Sequence, residues 1–319
     1  MPRWLGKKGA AGWTAVDCGL DGVYGVSVLA PVSASLGGKP RVVRCAAAPG
    51  GLLDVDTLTT LSKKISVGGF PWTLPLGRKE YSVLVVPEPS VLPAEMQQSI
   101  RWSISAMIDY PTDEANISWM KIPMVEGLPN RPQHLYVMVA RNELVTRLGG
   151  VFRAAKIHLQ AIDVRETAQR NIAALAERQG EGLGLLLAGR QGTQFTITFK
   201  GELYLDRFVE ESLFDLARIK DEEAEARAFE RIALHVQRSL DFVGRTLPFI
   251  AIGRVLVAPM PAANGFVDYL AKNLPSPVEK LNLASIFDFT QTPELAREEN
   301  QASYFTALGS ALRFMKKTT

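Results

Sequence analysis

Only two cysteines and three histidines occur in this chain of 319 residues. Cys18 and Cys45 are too few for a zinc site and make no disulfide framework. Both sit in apolar, strand-like surroundings and read as small buried hydrophobes. His134, His158 and His235 stand far apart in sequence, none beside a second candidate ligand or a cysteine, so no metal site or Cys–His pair is legible. No apolar run approaches the roughly 18 residues that cross a bilayer. The start, Met1-Pro-Arg-Trp-Leu-Gly-Lys-Lys-Gly9, lacks the apolar stretch of a signal peptide. It reads as a solvated terminus, or as an arm touching anionic lipid through Arg3, Lys7 and Lys8 with Trp4 at the interface. There is no Gly-x-x-x-x-Gly-Lys-Ser/Thr loop, no Gly-x-Gly-x-x-Gly after a strand and no Gly-x-Ser-x-Gly elbow. Net charge is +3, with Lys and Arg scattered rather than clustered among aromatics, which argues against a nucleic-acid partner. What remains is an ordinary globular balance, 47% apolar and 22% charged, expected in the cytoplasm and long enough for two or more compact units.

Against these absences the segment from Trp13 to Val28 stands out. It reads as an apolar strand, a tight turn built from Asp17, Gly19, Asp21 and Gly22, and a second apolar strand. Glycines let backbone N–H groups approach an anion closely, and an acid at the end of the first strand can hold the metal that travels with a phosphate. The same residues also make an unremarkable hairpin.

A third strand is expected over 41–47 and a helix over 54–65, with Asp54 as N-cap and Gly68-Gly69 as the stop. The six-residue run Tyr81–Val86 has the pattern of a strand covered on both faces. Beyond a Pro-rich linker, Met96, Ile100, Ile104 and Ile108 predict an amphipathic helix ended by Asp109-Tyr110-Pro111. Strands over 117–122 and 135–140, a helix over 142–155 and a strand over 159–164 follow. The block 89–157 is compact enough to be an inserted subdomain. After a helix over 166–178, strands over 183–188, 192–199 and 202–209, turned at Lys200-Gly201, repeat the opening triplet and suggest an internal duplication. The segment 215–243 reads as a helix whose charged start, Lys220–Arg227, is a solvated face. A strand over 254–258 and helices over 265–273 and 303–315 complete the chain.

Several blocks together resemble the PilM family of type IV pilus assembly proteins, most closely its MshI branch from the mannose-sensitive haemagglutinin (MSHA) pilus. They are the basic start before Val16-Asp17-Cys-Gly19, Ile100-Arg-Trp102 with Tyr110-Pro-Thr-Asp113, Val137-Met-Val-Ala-Arg-Asn-Glu-Leu144, Ile157–Thr167, Arg238-Ser-Leu-Asp-Phe242 and Tyr304–Arg313. They span nearly the whole chain in the family's order. The resemblance implies an actin-like α/β fold of two lobes around a nucleotide cleft, with an inserted subdomain in the first lobe as in the cell-division protein FtsA. The lobes would be 1–88 with 158–182, and 183–319 with 206–250 as its smaller subdomain.

The resemblance also implies a cytoplasmic platform protein that binds the cytoplasmic N-terminal tail of a PilN-like single-pass inner-membrane protein, between the first lobe and block 89–157. Arg101, Trp102 and Arg141 are the candidates for that surface, and self-association into a ring fits such a role. The nucleotide parts depart from the family. Asp17 and Gly19 match its first hairpin, but Leu20, Asp21 and Gly22 replace its serines and Tyr24 its lysine. Leu187-Ala-Gly189 keeps only the glycine of the second Asp-x-Gly, and Ala258-Pro-Met-Pro-Ala262 replaces its glycine-rich adenosine loop. Asp17, Gly19, Asp21, Gly22 and Gly189 are therefore expected to bind Mg-ATP weakly or not at all, with no catalytic residues and no dedicated metal site. The competing readings are an ATPase or small-molecule kinase using Asp17 and Asp21 on Mg²⁺, and a GspL-type platform of type II secretion.

Overall fold

The computed structural model describes residues 11–19, 21–31, 38–51, 53–124, 132–189, 191–213, 221–260 and 265–314. The basic start, Leu20 and part of the 258–262 proline segment lie outside them. Near the N-terminus β1 (Gly12–Cys18), β2 (Gly22–Leu29) and β3 (Arg41–Pro49) form an antiparallel meander. Helix α1 (Val55–Ile65) follows, begun where Asp54 accepts the Thr57 N–H at 2.7 Å, a cap worth about 1 kcal/mol. Its Leu58, Leu61 and Ile65 are buried against the sheet. Strand β4 (Trp72–Pro75) then runs parallel to β1, and β8 (Leu159–Asp163) parallel to β4, giving the order β3-β2-β1-β4-β8.

The second half repeats this plan. Strands β9 (Gly182–Gly189), β10 (Gly192–Phe199) and β11 (Glu202–Val209) form a meander, while β12 (Ile252–Val257) and β13 (Val278–Lys280) add in parallel, in the order β11-β10-β9-β12-β13. The β10–β11 turn holds Lys200 at φ 53° and Gly201 at φ 73°, the two left-handed residues that a primed hairpin turn requires. Two sheets of identical order and strand sense are the duplicated architecture of the actin-like fold, as expected from the repeated strand triplet.

A third sheet, β5 (Tyr81–Pro87), β7 (His134–Arg141) and β6 (Ala115–Lys121) in the order β5-β7-β6, is antiparallel throughout. Helix α2 (Met96–Ile104) packs Ile100 and Ile104 onto Val86, Leu135, Val137 and Val139 of one face. Here the sequence expectation changes. The run from Tyr81 belongs to this small sheet rather than to the first lobe, and it is not covered on both faces, since Val85 is 51% exposed. A continuous apolar run does not tell a central strand from an edge strand. The inserted block thus begins before residue 89. Helix α3 (Asn142–Ala154) joins the two units: it packs on β6 and β7 and buries Leu148 and Phe152 with Leu58 and Leu61 of the first lobe.

The lobes are joined by two helices that cross over. Helix α4 (Arg165–Ala176) leaves the first sheet and packs on β9, β10 and β11 of the second. The last helix, which we label α7 (Glu298–Ser310), returns from the second lobe to pack on β1, β2 and β4. It begins five residues earlier than its apolar stripe suggested. The second lobe is completed by α5 (Glu222–Thr246), whose Phe229, Ile232, Val236, Leu240 and Val243 are buried, and by α6 (Phe266–Asn273) beside it.

Candidate functional site

The crossover brings the two glycine hairpins to face each other across a cavity of about 160 Å³. On one side Asp17 ends β1, and the turn is closed by the Gly19 N–H on the Gly22 carbonyl at 2.8 Å. On the other side Gly189 pairs with Gly192, with Leu187 two residues before Gly189 just as Asp17 is two before Gly19. Asp17, Gly19, Asp21 and Gly189 all line this one cavity, and Gly22 closes the turn beside it. Gly192 sits at φ 133°, where a Cβ would stand 2.5 Å from the Val209 carbonyl, so the second turn is built around glycine.

The carboxylate of Asp17 already has a cation. Arg165, the first residue of α4, donates to Asp17 Oδ1 at 2.9 Å and to Thr306 Oγ1 of α7 at 3.0 Å. Burial pushes the Asp17 carboxyl above its ordinary value, while the Arg165 charge pulls it back down. The two substituted positions bond to each other, with the Tyr24 hydroxyl donating to Asp21 Oδ1 at 3.1 Å. The Tyr24 ring meets Tyr304 of α7 edge-on at 5.2 Å. A second group of charges lies at the same interface. Glu166 is 1% exposed and accepts from the Tyr81 hydroxyl at 2.7 Å, and burial pushes its carboxyl up. Burial first and the Glu166 charge second push Asp206 on β11 up to about 7. Arg78 stacks over Phe208 at 4.4 Å, so its guanidinium also faces this interface. Sequence reasoning missed Arg165, Thr306, Glu166 and Arg78. None carries a local motif, and Arg165 reaches Asp17 across 148 positions.

Both thiols are deactivated. Burial pushes Cys18, which lines the cavity, and Cys45, which donates to Glu294 at 3.0 Å, up to about 12. Because the thiolate is the reactive form, both are expected to react with a thiol reagent at pH 8 far more slowly in the native chain than in urea. Labelling followed by absorbance checks this, and equal rates would refute it. Among the described residues no group of three His, Cys, Asp or Glu side chains is arranged to hold a metal.

A larger cavity, about 330 Å³, lies between the small sheet and the first lobe. Asn116 and Ser118 of β6 and Met138 of β7 form one wall, and Asp163, Arg170 and Arg313 the other. Asp163 is fixed by Thr167, by the Val164 N–H at 2.9 Å and by Arg313. In the order β5-β7-β6, β6 is an edge among the described residues. The three residues expected at a partner surface sit on α2 and at the end of β7. Arg101 ties α2 to the start of β6 through the carbonyls of Thr112 and Ala115. Arg141 stacks on Tyr110 at 4.0 Å between Asp109 and Glu114. Trp102 is 74% exposed on the outer side of α2. None of them lines the groove.

No protein-family model and no curated protein matches the chain. Among solved structures it is similar to a chain of a PilM–PilN type IV pilus biogenesis complex, at TM-score 0.74 and 17% identity, over 95% of this chain and 98% of that one. It is also similar to the cytoplasmic domain of EpsL, an inner-membrane component of the type II secretion system of Vibrio cholerae. There the TM-score is 0.43 and the identity 10%, over 66% of this chain and 78% of that one. A Bacteroides thetaiotaomicron protein with an actin-like ATPase fold and unknown function aligns at TM-score 0.49 and 8% identity, over 91% and 97% of the two chains. The first likeness is one of fold, over nearly the whole of both chains.

Proposed function

We propose that this chain is a non-enzymatic platform protein of type IV pilus biogenesis. It binds the cytoplasmic N-terminal tail of a PilN-like inner-membrane protein. The observation that carries the reading is the groove of about 330 Å³ beside β6, in a fold shared end to end with a chain of a PilM–PilN complex. An extended peptide adds to a free strand edge through its main chain while pockets select its side chains. Asn116 and Ser118 stand on that edge, and Asp163, Arg170 and Arg313 face it across the groove. No described helix is long and apolar enough to cross a membrane, so membrane association would come through the partner. The MSHA-type assignment rests on the sequence blocks that resemble MshI.

The nucleotide cleft is part of the same reading. Arg165 stands where a metal would neutralise Asp17, Leu187 replaces the second acid, and about 160 Å³ is roughly half the smallest usual small-molecule site. In-line phosphoryl transfer needs charge stabilisation on both sides of the phosphate, and among the described residues the second hairpin brings no charged side chain to the cavity. The ATPase or kinase reading retains one point in its favour, the two facing glycine hairpins.

Ser118→Trp, which fills the groove from an exposed position, is expected to weaken binding of a PilN-type tail peptide by about tenfold or more. Trp102→Ala is expected to leave it unchanged. Calorimetric titration of both variants tests this, and equal binding by Ser118→Trp would remove the groove assignment. Titrating the unaltered chain with Mg-ATP tests the cleft. Micromolar binding abolished by Asp17→Ala would restore the nucleotide reading.

A further inference from the structure

Helix α5 buries one face in the second lobe and leaves the opposite face open. Along that open face lie Glu223, Arg227, Glu230, Leu234, Arg238, Asp241 and Arg245, all exposed. Their spacings are four, three, four, four, three and four residues. At 3.6 residues per turn they fall within roughly 80° of the helix circumference, along a stripe about 33 Å long. The pattern is symmetric about Leu234 in position and antisymmetric in charge. Residues equally distant from Leu234 carry opposite signs: Glu230 and Arg238, Arg227 and Asp241, Glu223 and Arg245. At the centre Leu234 is 43% exposed, and at its flank Phe242 is 42% exposed under Arg207. Within the chain only Glu223 and Arg227 pair on this stripe among the described residues, at 3.3 Å and largely exposed.

We propose that α5 is a self-association surface on which two copies of this chain pack antiparallel, α5 against α5, about a two-fold axis at Leu234. That arrangement sets every charge of the stripe against an opposite charge of the second copy. It is also isologous, so each of the three complementary pairs occurs twice. Other occupants fit worse. An anionic membrane or an acidic segment would meet the three carboxylates as well as the three arginines, and a parallel pairing in register would oppose like charges. The charged start of α5 therefore has a use beyond solvation, since Glu223 receives Arg245 and Arg227 receives Asp241 of the other copy. Exposed ion pairs are individually weak, so the dimer is reversible and sensitive to salt.

Sedimentation equilibrium of the full chain at low salt is expected to show a monomer–dimer equilibrium approaching twice the 34.9 kDa chain mass. Raising salt is expected to shift it toward monomer. Arg238→Glu places a carboxylate against Glu230 of the second copy on both sides of the axis, and should weaken the dimer by about tenfold or more. Adding Glu230→Arg to it restores the pairing with its signs exchanged and should restore the dimer. That recovery separates the interface from any folding defect. A monomer at all concentrations would overturn the proposal, as would a dimer indifferent to Arg238→Glu or a folded double variant that stays monomeric.

Discussion

Asp17→Ala is expected to destabilise the chain by about 3–5 kcal/mol in the absence of any ligand, because it leaves a buried guanidinium without its counter-ion. The side chains of Asp17 and Arg165 are 6% and 19% exposed, and once Asp17 is gone the one hydrogen bond left to the Arg165 side chain among the described residues is to the neutral Thr306 hydroxyl. The pair also bridges β1 of the first lobe to the start of α4, so its loss is felt where the lobes meet. Removing both charges, with Arg165→Leu added to Asp17→Ala, should cost less than Asp17→Ala alone. The low-dielectric site then holds no orphan ion. Urea denaturation of the wild type, the two single variants and the double variant closes this cycle. An Asp17 kept for a metal-bound phosphate would behave in the opposite way. Its removal from the ligand-free chain would relieve a buried carboxylate and leave stability unchanged or higher. The sign of this one substitution therefore separates a structural carboxylate from a catalytic or cofactor-binding one.

What could be read ahead of the structure was local. The Asp54 cap, the Lys200-Gly201 turn and the two strand triplets each carry their signal within a few residues, and the duplicated sheet order follows from the triplets. Strand β4, four residues long, and β13, three residues long, carry no periodicity and were invisible. Strand β5, expected within the first lobe, pairs in the small sheet instead, with a partner that lies some 59 positions away, beginning with Tyr81 against Ala140. Helices α4 and α7 are the instructive cases. Both are buried nearly all round; α4 lies within two residues of the helix expected over 166–178, whereas α7 starts five residues before its apolar stripe. Their core-facing side include Glu166, Gln169, Asn171 and Gln301, which pattern reasoning assigns to solvent. The Gln169 amide donates to the Leu185 carbonyl at 2.7 Å and the Asn171 amide to the Gly309 carbonyl at 3.0 Å, bonds that exist only once the lobes have come together. The candidate hairpins were legible for the same reason as the turns, and the arginine that closes the cleft was not.

Gly309→Ala is expected to lower stability by about 3 kcal/mol, although the same change in an open helix raises it. A Cβ on Gly309 would stand 2.3 Å from the carbonyl oxygen of Ala168, 2.7 Å from its carbonyl carbon and 3.0 Å from its Cα. These are backbone atoms of α4, so no rotamer change relieves the contact. The helices must separate, and the Asn171–Gly309 hydrogen bond stretches with them. Alanine gains roughly 1 kcal/mol over glycine in helix propensity, which is too little to offset forced separation of two buried helices. Gly149 in α3 supplies the contrast. Its added Cβ would meet nothing within 4 Å, so Gly149→Ala should stabilise by about 0.5–1 kcal/mol. Ala168→Gly is not expected to rescue Gly309→Ala, since the clash is with the main chain. Thermal or urea unfolding of the three variants decides the matter, and a Gly309→Ala chain as stable as Gly149→Ala would show that α4 and α7 are not in close contact. Because α4 rests on the second sheet and α7 on the first, this glycine sets how closely the two lobes close over the cavity that holds Asp17 and Arg165.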